Sequence, residues 1–246
     1  NKPIAVTLDI KRPDASGWKS LDLFKNDLNL RHIPVHLMSG EENKLLAMKR
    51  GAKSFLLKPL KNEVVNKLFA GIVKYNSKKS RNLLVVEDNE MDSSNMVKML
   101  AHDQVKITVA RTGSQAAKLL KEKTFDSVIL DYMLPDITGL ELLNKINMKA
   151  SADITPVIVY SAKEFNKKES AQLKHLASSI LLKDVNSIDR LLEETAMHLH
   201  LEHIKLKPEK QNIIDNIRIK EDVLVGKQVI IVYAAVRNIF ALPTAF

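Results

Sequence analysis

The 246-residue sequence contains no cysteine, which excludes disulfide bonds and thiolate metal sites and fits a cytoplasmic protein. It contains no run of 18 apolar residues, so no membrane-spanning helix and no membrane contact are predicted for this segment. No secretory signal is visible at the start of the sequence. No glycine-rich phosphate loop follows any predicted strand, which argues against a nucleotide-binding module.

Aromatic residues are also scarce, at 5% of the sequence, although the net charge is +9. The segment 1–81 carries a net charge of +10 and the segment 82–246 a net charge of −1. The lysines are spread over several predicted elements with no aromatic residues between them. This pattern indicates a solvated surface, and no nucleic-acid partner is expected.

One short pattern occurs twice, as VTLDIKRPDASG at 6–17 and as VILDYMLPDITG at 128–139. In each copy an apolar strand pattern runs into an aspartate, Asp9 or Asp131, and a proline and a glycine follow at the same offsets. The two copies are separated by the length of an ordinary domain, which favours two domain-length units over a short-period repeat.

From residue 82 to residue 203 the patterns of strand and helix alternate. The predicted strands are 82–86, 105–110, 126–131, 155–161 and 178–183. The predicted helices are 90–102, 112–123, 139–146, 163–177 and a last one from residue 187. Five strands alternating with five helices predict an α/β fold with a doubly wound, five-stranded parallel sheet.

The flanking segments match only parts of this unit. The segment 1–76 matches its second half, with strands predicted at 4–9, 33–39 and 53–58 and helices at 17–27, 41–50 and 61–74. Polar linkers are predicted at 75–81 and, after a helical extension, within 204–227. The segment 228–246 resembles the opening strand and helix of a further unit. The predicted domains are therefore 1–76, 82–203 and 228–246.

Polar side chains stand at the predicted carboxyl ends of the strands, where open parallel sheets bind ligands. In the complete unit they are Glu87, Asp88, Asp131, Ser161 and Lys183. Three converging carboxylates repel one another unless a cation lies between them, and hard oxygen ligands favour Mg²⁺ or Mn²⁺. A lysine and a serine hydroxyl opposite a metal suit phosphate oxygens, and a carboxylate between them can act as a nucleophile toward phosphorus.

These residues resemble the receiver domains of two-component response regulators and hybrid histidine kinases. The shared pattern is an acidic pair, Asp-x₃-Pro-x₃-Gly, a Ser or Thr that ends the next strand, and a Lys that ends the strand after it. The resemblance covers 82–203 as a full domain and 1–76 as a receiver lacking its first half. It implies the flavodoxin-like receiver fold with strand order 2-1-3-4-5, and the tandem arrangement resembles the multi-receiver tail of a hybrid sensor histidine kinase.

The resemblance also implies roles for individual residues. Asp131 would accept a phosphoryl group from a phosphohistidine, carried by a histidine kinase or a histidine phosphotransfer domain. Ser161 and Lys183 would read out the phosphoryl group. The implied ligands of Mg²⁺, or of Mn²⁺, are Glu87, Asp88, Asp131 and the backbone carbonyl of Met133. No kinase catalytic domain is predicted in this segment.

The partial copies depart from the family pattern. The matching residues of the first copy are Asp9, Ser39 and Lys58. No acidic pair precedes Asp9, so Asp131 is predicted to be the only phosphorylated residue. In the last fragment, Tyr233 and Ala234 stand where the acidic pair belongs.

The fifth strand of the complete copy departs as well. The family's Lys-Pro pair is present at Lys58–Pro59, where a cis bond is expected, whereas Lys183 precedes Asp184, so a trans bond is predicted there. Ile180 replaces the family's aromatic switch residue. These departures keep open a second interpretation, a pseudo-receiver scaffold that binds partners without phosphate.

Two further expectations concern surfaces. His198, His200 and His203 are predicted to be solvated, because the first and last would point about 140° apart on a helix and could not share a metal. The edge of the strand at 4–9 is predicted to lack a partner. The favoured explanation is that the missing strands of this unit lie outside this sequence, and a second hypothesis places the strand at 229–232 beside 4–9, from the same chain or by self-association.

Overall fold

The structure is a computed structural model that describes residues 3–11, 16–147 and 155–222. The chain divides into two compact units, Asn1–Leu206 and Lys207–Phe246. The first unit contains two parallel sheets, and the second contains one described helix. No helix in the described part of the chain is long and apolar enough to cross a membrane.

The N-terminal sheet has three strands in the order β1-β2-β3, all parallel. Its strands are β1 (Val6–Asp9), β2 (Val35–Ser39) and β3 (Ser54–Leu57). The accompanying helices are α1 (Gly17–Asn26), α2 (Lys44–Lys49) and α3 (Asn62–Ser77). The three strands and three helices predicted for this segment are confirmed.

The second sheet has five parallel strands in the order β5-β4-β6-β7-β8. Its strands are β4 (Arg81–Val86), β5 (Val105–Ala110), β6 (Ser127–Leu130), β7 (Val157–Ser161) and β8 (Ser179–Leu182). The helices between and after them are α4 (Glu90–Leu100), α5 (Gly113–Glu122), α6 (Gly139–Asn147), α7 (Lys167–Leu176) and α8 (Ser187–His198). The predicted doubly wound sheet with order 2-1-3-4-5 is confirmed.

The central strands of this sheet are mostly apolar because helices cover both faces. Every residue of β6 and β7 is buried, as are the last four residues of β4. The polar residues that end these strands therefore leave the core at one edge of the sheet. Helix α4 begins directly beyond that edge, where the side chain of Asn89 caps it by accepting from the amides of Met91 and Asp92.

The repeated glycine has a steric cause. A Cβ atom on Gly139 would lie 2.7 Å from Tyr132 Cα and 2.9 Å from the carbonyl oxygen of Asp131. A Cβ atom on Gly17 would collide with the carbonyl oxygen of Asp9. In both copies the helix therefore starts against the backbone of the aspartate that ends the strand, and only glycine permits this approach.

The linker predicted at 75–81 is too long. Helix α3 continues to Ser77, so only residues 78–80 connect it to β4. The cause is Tyr75, whose buried ring lies 4.2 Å from Lys53 Nζ and 3.7 Å from the Arg81 guanidinium. Its hydroxyl donates to the carbonyl of Leu199 at 3.1 Å, so the end of this helix is anchored to the five-stranded domain.

The prediction that the histidines are solvated is also wrong for two of the three. His198 and His200 are buried, and His203 is half-buried in a short 3₁₀ helix, η1 (His203–Lys205). His200 Nδ1 lies 3.5 Å from the buried ammonium of Lys25 in α1. These histidines are covered because the end of α8 packs against the N-terminal segment.

The second unit contains helix α9 (Pro208–Asp222), where a helical extension is predicted. The predicted strand and helix at 228–246, with Tyr233 and Ala234, lie outside the described residues. The hypothesis that 229–232 pairs with 4–9 is therefore not tested. Within the described part of the chain, β1 pairs with β2 alone.

Candidate functional site

Three carboxylates meet at the carboxyl edge of the five-stranded sheet. Glu87 and Asp88 follow β4, and Asp131 follows the neighbouring strand β6, which pairs with β4 in register up to Val86 and Leu130. One carboxylate oxygen from each residue lies within 4.8 Å of the other two. Glu87 and Asp131 are buried and Asp88 is exposed, so the cluster is a crevice that is open on one side.

The pKa of Glu87 reflects this crowding. Burial raises the pKa of Glu87 above its ordinary value, and the neighbouring charge of Asp131 raises it further, whereas a hydrogen bond from Lys183 lowers it. A buried carboxylate beside a second one is costly to keep charged. A cation among the three carboxylates would remove that cost, and three hard oxygen donors without histidine or cysteine fit a divalent ion such as Mg²⁺.

Lys183 faces this cluster from the end of β8. Its ammonium donates to Glu87 Oε2 at 2.8 Å, to Asp131 Oδ2 at 2.9 Å and to Asp92 Oδ2 at 2.9 Å. An ammonium has three N–H donors, so this set uses all of them. Burial opposes the charge, but the three carboxylates raise the pKa of Lys183 above its ordinary value, and the side chain is a cation at neutral pH.

Asp92 belongs to the site although the sequence pattern did not single it out. It lies in the first turn of α4, where its amide donates to the Asn89 side chain at 3.1 Å. The capped start of a helix directly behind the acidic pair points its first turn at the crevice. The only sequence signal for Asp92 is that it is an acidic residue in the first turn of the predicted helix.

Arg111 is the second site residue that sequence reasoning missed. It follows β5, and its guanidinium donates to Ser93 Oγ at 2.8 Å and to the carbonyl of Asp88 at 3.4 Å. The contact fixes the backbone of Asp88 beside the crevice. Nothing in the spacing of Arg111 distinguishes it from the other surface cations.

Hydrogen bonds from two backbone amides hold Asp131 and the loop that follows it. The Asp131 amide donates to the carbonyl of Val86 at 2.9 Å, and the amide of Met133 donates to Asp131 Oδ1 at 3.1 Å. Met133 also forms an antiparallel bridge with Thr138. These contacts place Met133 beside the carboxylate, where a carbonyl ligand is predicted.

Ser161 ends β7, the strand between β6 and β8. The residue is fully buried, and its hydroxyl accepts a hydrogen bond from the amide of Lys163 at 3.3 Å. Its carbonyl accepts from the amide of Lys183 at 2.9 Å. The sheet order thus places the predicted serine between the strand that ends at Asp131 and the strand that ends at Lys183.

The first copy repeats part of this arrangement. Lys58 pairs with the carboxylate of Asp9, and the amide of Lys58 donates to the carbonyl of Ser39 at 2.7 Å. The hydrogen bond from Lys58 lowers the pKa of Asp9 below its ordinary value, against a smaller effect of desolvation. Lys11 stands where the other copy has Met133, and it pairs with Glu41 at 2.7 Å.

The carboxylate cluster of the site differs between the copies. Among the described residues, only Glu87, Asp88 and Asp131 form a cluster that could hold a metal ion.

The peptide bonds after the two lysines differ too: Lys58–Pro59 is cis, as expected. The Lys183–Asp184 bond is not among the cis bonds, which agrees with the prediction of a trans bond.

Comparison with known proteins shows the family to which residues 83–196 are similar. A family model described as the response regulator receiver domain matches residues 83–196. Two-component response regulator ORR5 of Oryza sativa subsp. japonica is 30% identical over 108 residues, which cover 44% of this chain and 81% of that protein. Response regulator ArlR of Staphylococcus epidermidis is 31% identical over 111 residues, covering 45% of this chain and 49% of ArlR.

Among solved structures, the receiver domain of Francisella response regulator 1452 is 26% identical and covers 48% of this chain and 97% of that chain, with a TM-score of 0.43. The family assignment rests on the sequence relatives and on the matched residues. Through one receiver domain at residues 83–196, this chain belongs to the response regulator receiver family.

Proposed function

We propose that residues 82–203 form a phosphoacceptor in a phosphorelay, in which Asp131 takes a phosphoryl group from a phosphohistidine. The donor would be a histidine kinase or a histidine phosphotransfer domain. The observation that carries this proposal is the position of Asp131, whose carboxylate lies among two further carboxylates and hydrogen-bonds the Lys183 ammonium at 2.9 Å. Such an arrangement suits a nucleophile that receives a highly charged group.

The residues that would hold Mg²⁺, or Mn²⁺ in its place, are Glu87, Asp88, Asp131 and the carbonyl of Met133. When bound, the ion supplies positive charge that offsets the phosphoryl oxygens and the crowded carboxylates. The raised pKa of Glu87 supports this assignment, because a buried carboxylate that is costly to ionise gains most from a neighbouring cation.

The side chains of this chain account for the transfer itself. One carboxylate oxygen of Asp131 attacks phosphorus, and the bond to the donor nitrogen breaks as the new bond forms. Lys183 donates to the phosphoryl oxygens from the side of β8. The hydroxyl of Ser161 then donates to a phosphoryl oxygen, and its shift is the signal read by the surrounding loops.

A protein donor is supported by the surface around the crevice. Large apolar side chains are exposed on the segments that carry the site residues: Met91, Met133, Leu182 and Val185. Val185 is 95% exposed and lies just beyond Lys183 in the chain. Exposed apolar groups around a charged crevice favour a macromolecular partner over a small molecule.

For the first copy we propose a receiver-like segment in which Asp9 is not phosphorylated. The absence of a second metal cluster among the described residues supports this reading of 1–76. The tandem arrangement supports a place in the multi-receiver tail of a hybrid histidine kinase, with 228–246 opening a further receiver-like unit. The lack of cysteine supports a cytoplasmic location.

A phosphate-independent scaffold remains the second candidate. Ile180 packs against the hydrophobic core where an aromatic switch residue is expected, and Asp184 replaces the proline. A scaffold of this kind does not need Mg²⁺, so calorimetry with Mg²⁺ separates the two candidates. Binding that is lost in Glu87→Gln supports the phosphoacceptor, and no binding supports the scaffold.

The direct test uses Mg²⁺, a small phosphodonor and the mass of the intact protein. We expect the mass of one phosphoryl group on the wild-type protein and on Asp9→Asn, and none on Asp131→Asn. The two variants carry the same chemical change at matching positions of the two copies. An adduct that persists in Asp131→Asn, or a wild-type protein that gains none, would contradict the proposal.

A further inference from the structure

Asp92 is the one carboxylate partner of Lys183 that is not among the predicted metal ligands. Its carboxylate is 2.9 Å from the Lys183 ammonium, as close as that of Asp131. The side chain of Asp92 is 42% exposed, against 15% for Lys183. Asp92 therefore holds the lysine from the open side of the crevice, the side from which a phosphodonor must approach.

The donors of Lys183 are fully used in this arrangement. Each of its three N–H groups is directed at a carboxylate of Glu87, Asp92 or Asp131. A phosphoryl oxygen can take a hydrogen bond from the lysine only if one of these partners gives it up. Glu87 and Asp131 would be neutralised in part by a metal ion, whereas Asp92 would keep its full charge and its hold on the lysine.

The negative charge of Asp92, like its hydrogen bond, opposes the binding of a phosphoryl oxygen to Lys183. Two oxygens that accept from one ammonium lie about 5 Å apart when both hydrogen bonds have normal length. A phosphoryl oxygen bound to Lys183 would therefore lie that close to the Asp92 carboxylate. Like charges at this distance repel, and the repulsion is present only after the phosphoryl group arrives.

We propose that Asp92 is a positioning residue that restrains Lys183 and opposes phosphorylation of Asp131. The inference rests on the proposed function and adds a determinant of how readily the site is phosphorylated. The transfer is unchanged in its chemistry: the bond from Asp131 oxygen to phosphorus forms and the bond from phosphorus to the donor breaks. Asp92 changes only how readily the Lys183 ammonium can donate to the phosphoryl oxygens.

The test compares Asp92→Asn with two control variants. Asp92→Glu keeps the negative charge, on a side chain that is one methylene longer. Asp103→Asn removes the same charge from an exposed turn between α4 and β5, at the opposite edge of the sheet. All proteins are incubated with a small acyl phosphate at saturating Mg²⁺, and the rates of phosphorylation and of later loss of the phosphoryl group are measured by intact mass.

We expect Asp92→Asn to be phosphorylated roughly threefold to tenfold faster than the wild-type protein, the range set by one exposed charged hydrogen bond. We expect Asp103→Asn to stay within about twofold of the wild type, and Asp92→Glu, which keeps the negative charge, to be accelerated less than Asp92→Asn. A damaged fold would slow the reaction, so acceleration separates the proposed role from a structural one. Asp92→Ser serves as the second variant, and it is expected to be accelerated as well.

The outcomes distinguish this inference from the function on which it rests. A wild-type protein that is phosphorylated while Asp92→Asn and Asp92→Ser react at the same rate or more slowly overturns the inference alone. Acceleration in Asp103→Asn equal to that in Asp92→Asn overturns it too, because the effect would then be one of total charge. A wild-type protein that accepts no phosphoryl group overturns both.

Discussion

Replacing Lys183 by methionine removes the cation that holds the crevice together. Glu87 and Asp131 are then left close together without a counter-charge. Both side chains are buried, with 1% exposed for Glu87 and 9% exposed for Asp131. Breaking a fully buried ion pair by removing one partner costs about 3–5 kcal/mol. Lys183 is 15% exposed, so solvent screens part of the interaction, and we expect a loss of about 2–4 kcal/mol in the free energy of unfolding.

Two conditions should restore stability to this variant. Mg²⁺ supplies the missing positive charge, and a ligand at 100 times its dissociation constant stabilises the folded state by about 2.7 kcal/mol. Lower pH should also help. The pKa of Glu87 is raised in the folded state, so the folded variant binds more protons than the unfolded chain, and its stability increases as the pH falls.

The assay is urea unfolding at neutral pH with and without Mg²⁺. Lys118→Met is the matched control, because Lys118 is 77% exposed and its pairing with Glu122 at 4.0 Å should contribute less than about 0.5 kcal/mol. If Lys183→Met without Mg²⁺ is as stable as the wild-type protein, the crevice is not held by this cation and the reasoning is refuted.

The remaining predictions concern backbone packing and a buried lysine. Gly139→Ala should destabilise the receiver by about 1–3 kcal/mol, because the new Cβ would lie 2.7 Å from Tyr132 Cα. A Cβ on Gly71 meets no atom within 4 Å, so Gly71→Ala should stabilise helix α3 by about 0.5–1 kcal/mol. Urea unfolding measures both, and equal effects would contradict the steric argument. Burial, and then the charge of Arg31, lowers the pKa of Lys25 to about 7, so between pH 7 and 10.5 the unfolded chain binds more protons and stability should rise with pH. Lys25→Met should remove up to about 1.4 kcal/mol per pH unit from that slope, and an unchanged slope would count against the shifted pKa.

The sequence was sufficient to locate the main site residues because of one general property of parallel sheets. Strand ends converge at one edge, so a residue that ends a strand pattern is placed in space without knowledge of the packing. Glu87, Asp131 and Lys183 were found in this way, and the confirmed strand order brings them together.

Other residues could not be placed by this argument. Asp92 reaches the crevice from a helix, and its direction depends on the angle at which α4 leaves the strand, which a periodic pattern does not specify. His198 and His200 are buried because two segments far apart in the chain meet at the end of α8. The stretch after residue 74 was predicted to be a linker, but Tyr75 packs there as part of the end of helix α3. Its contacts are with residues distant in sequence, which a local pattern does not specify.

The measurement that tests the central claim most directly is the chemical location of the phosphoryl group. After incubation with Mg²⁺ and a small phosphodonor, borohydride converts a phosphorylated aspartate to homoserine, and peptide mass spectrometry then reads the position. The account predicts homoserine at Asp131, dependent on Mg²⁺, and unchanged aspartate at Asp9. Homoserine at Asp9, or unmodified aspartate at both positions, would contradict it.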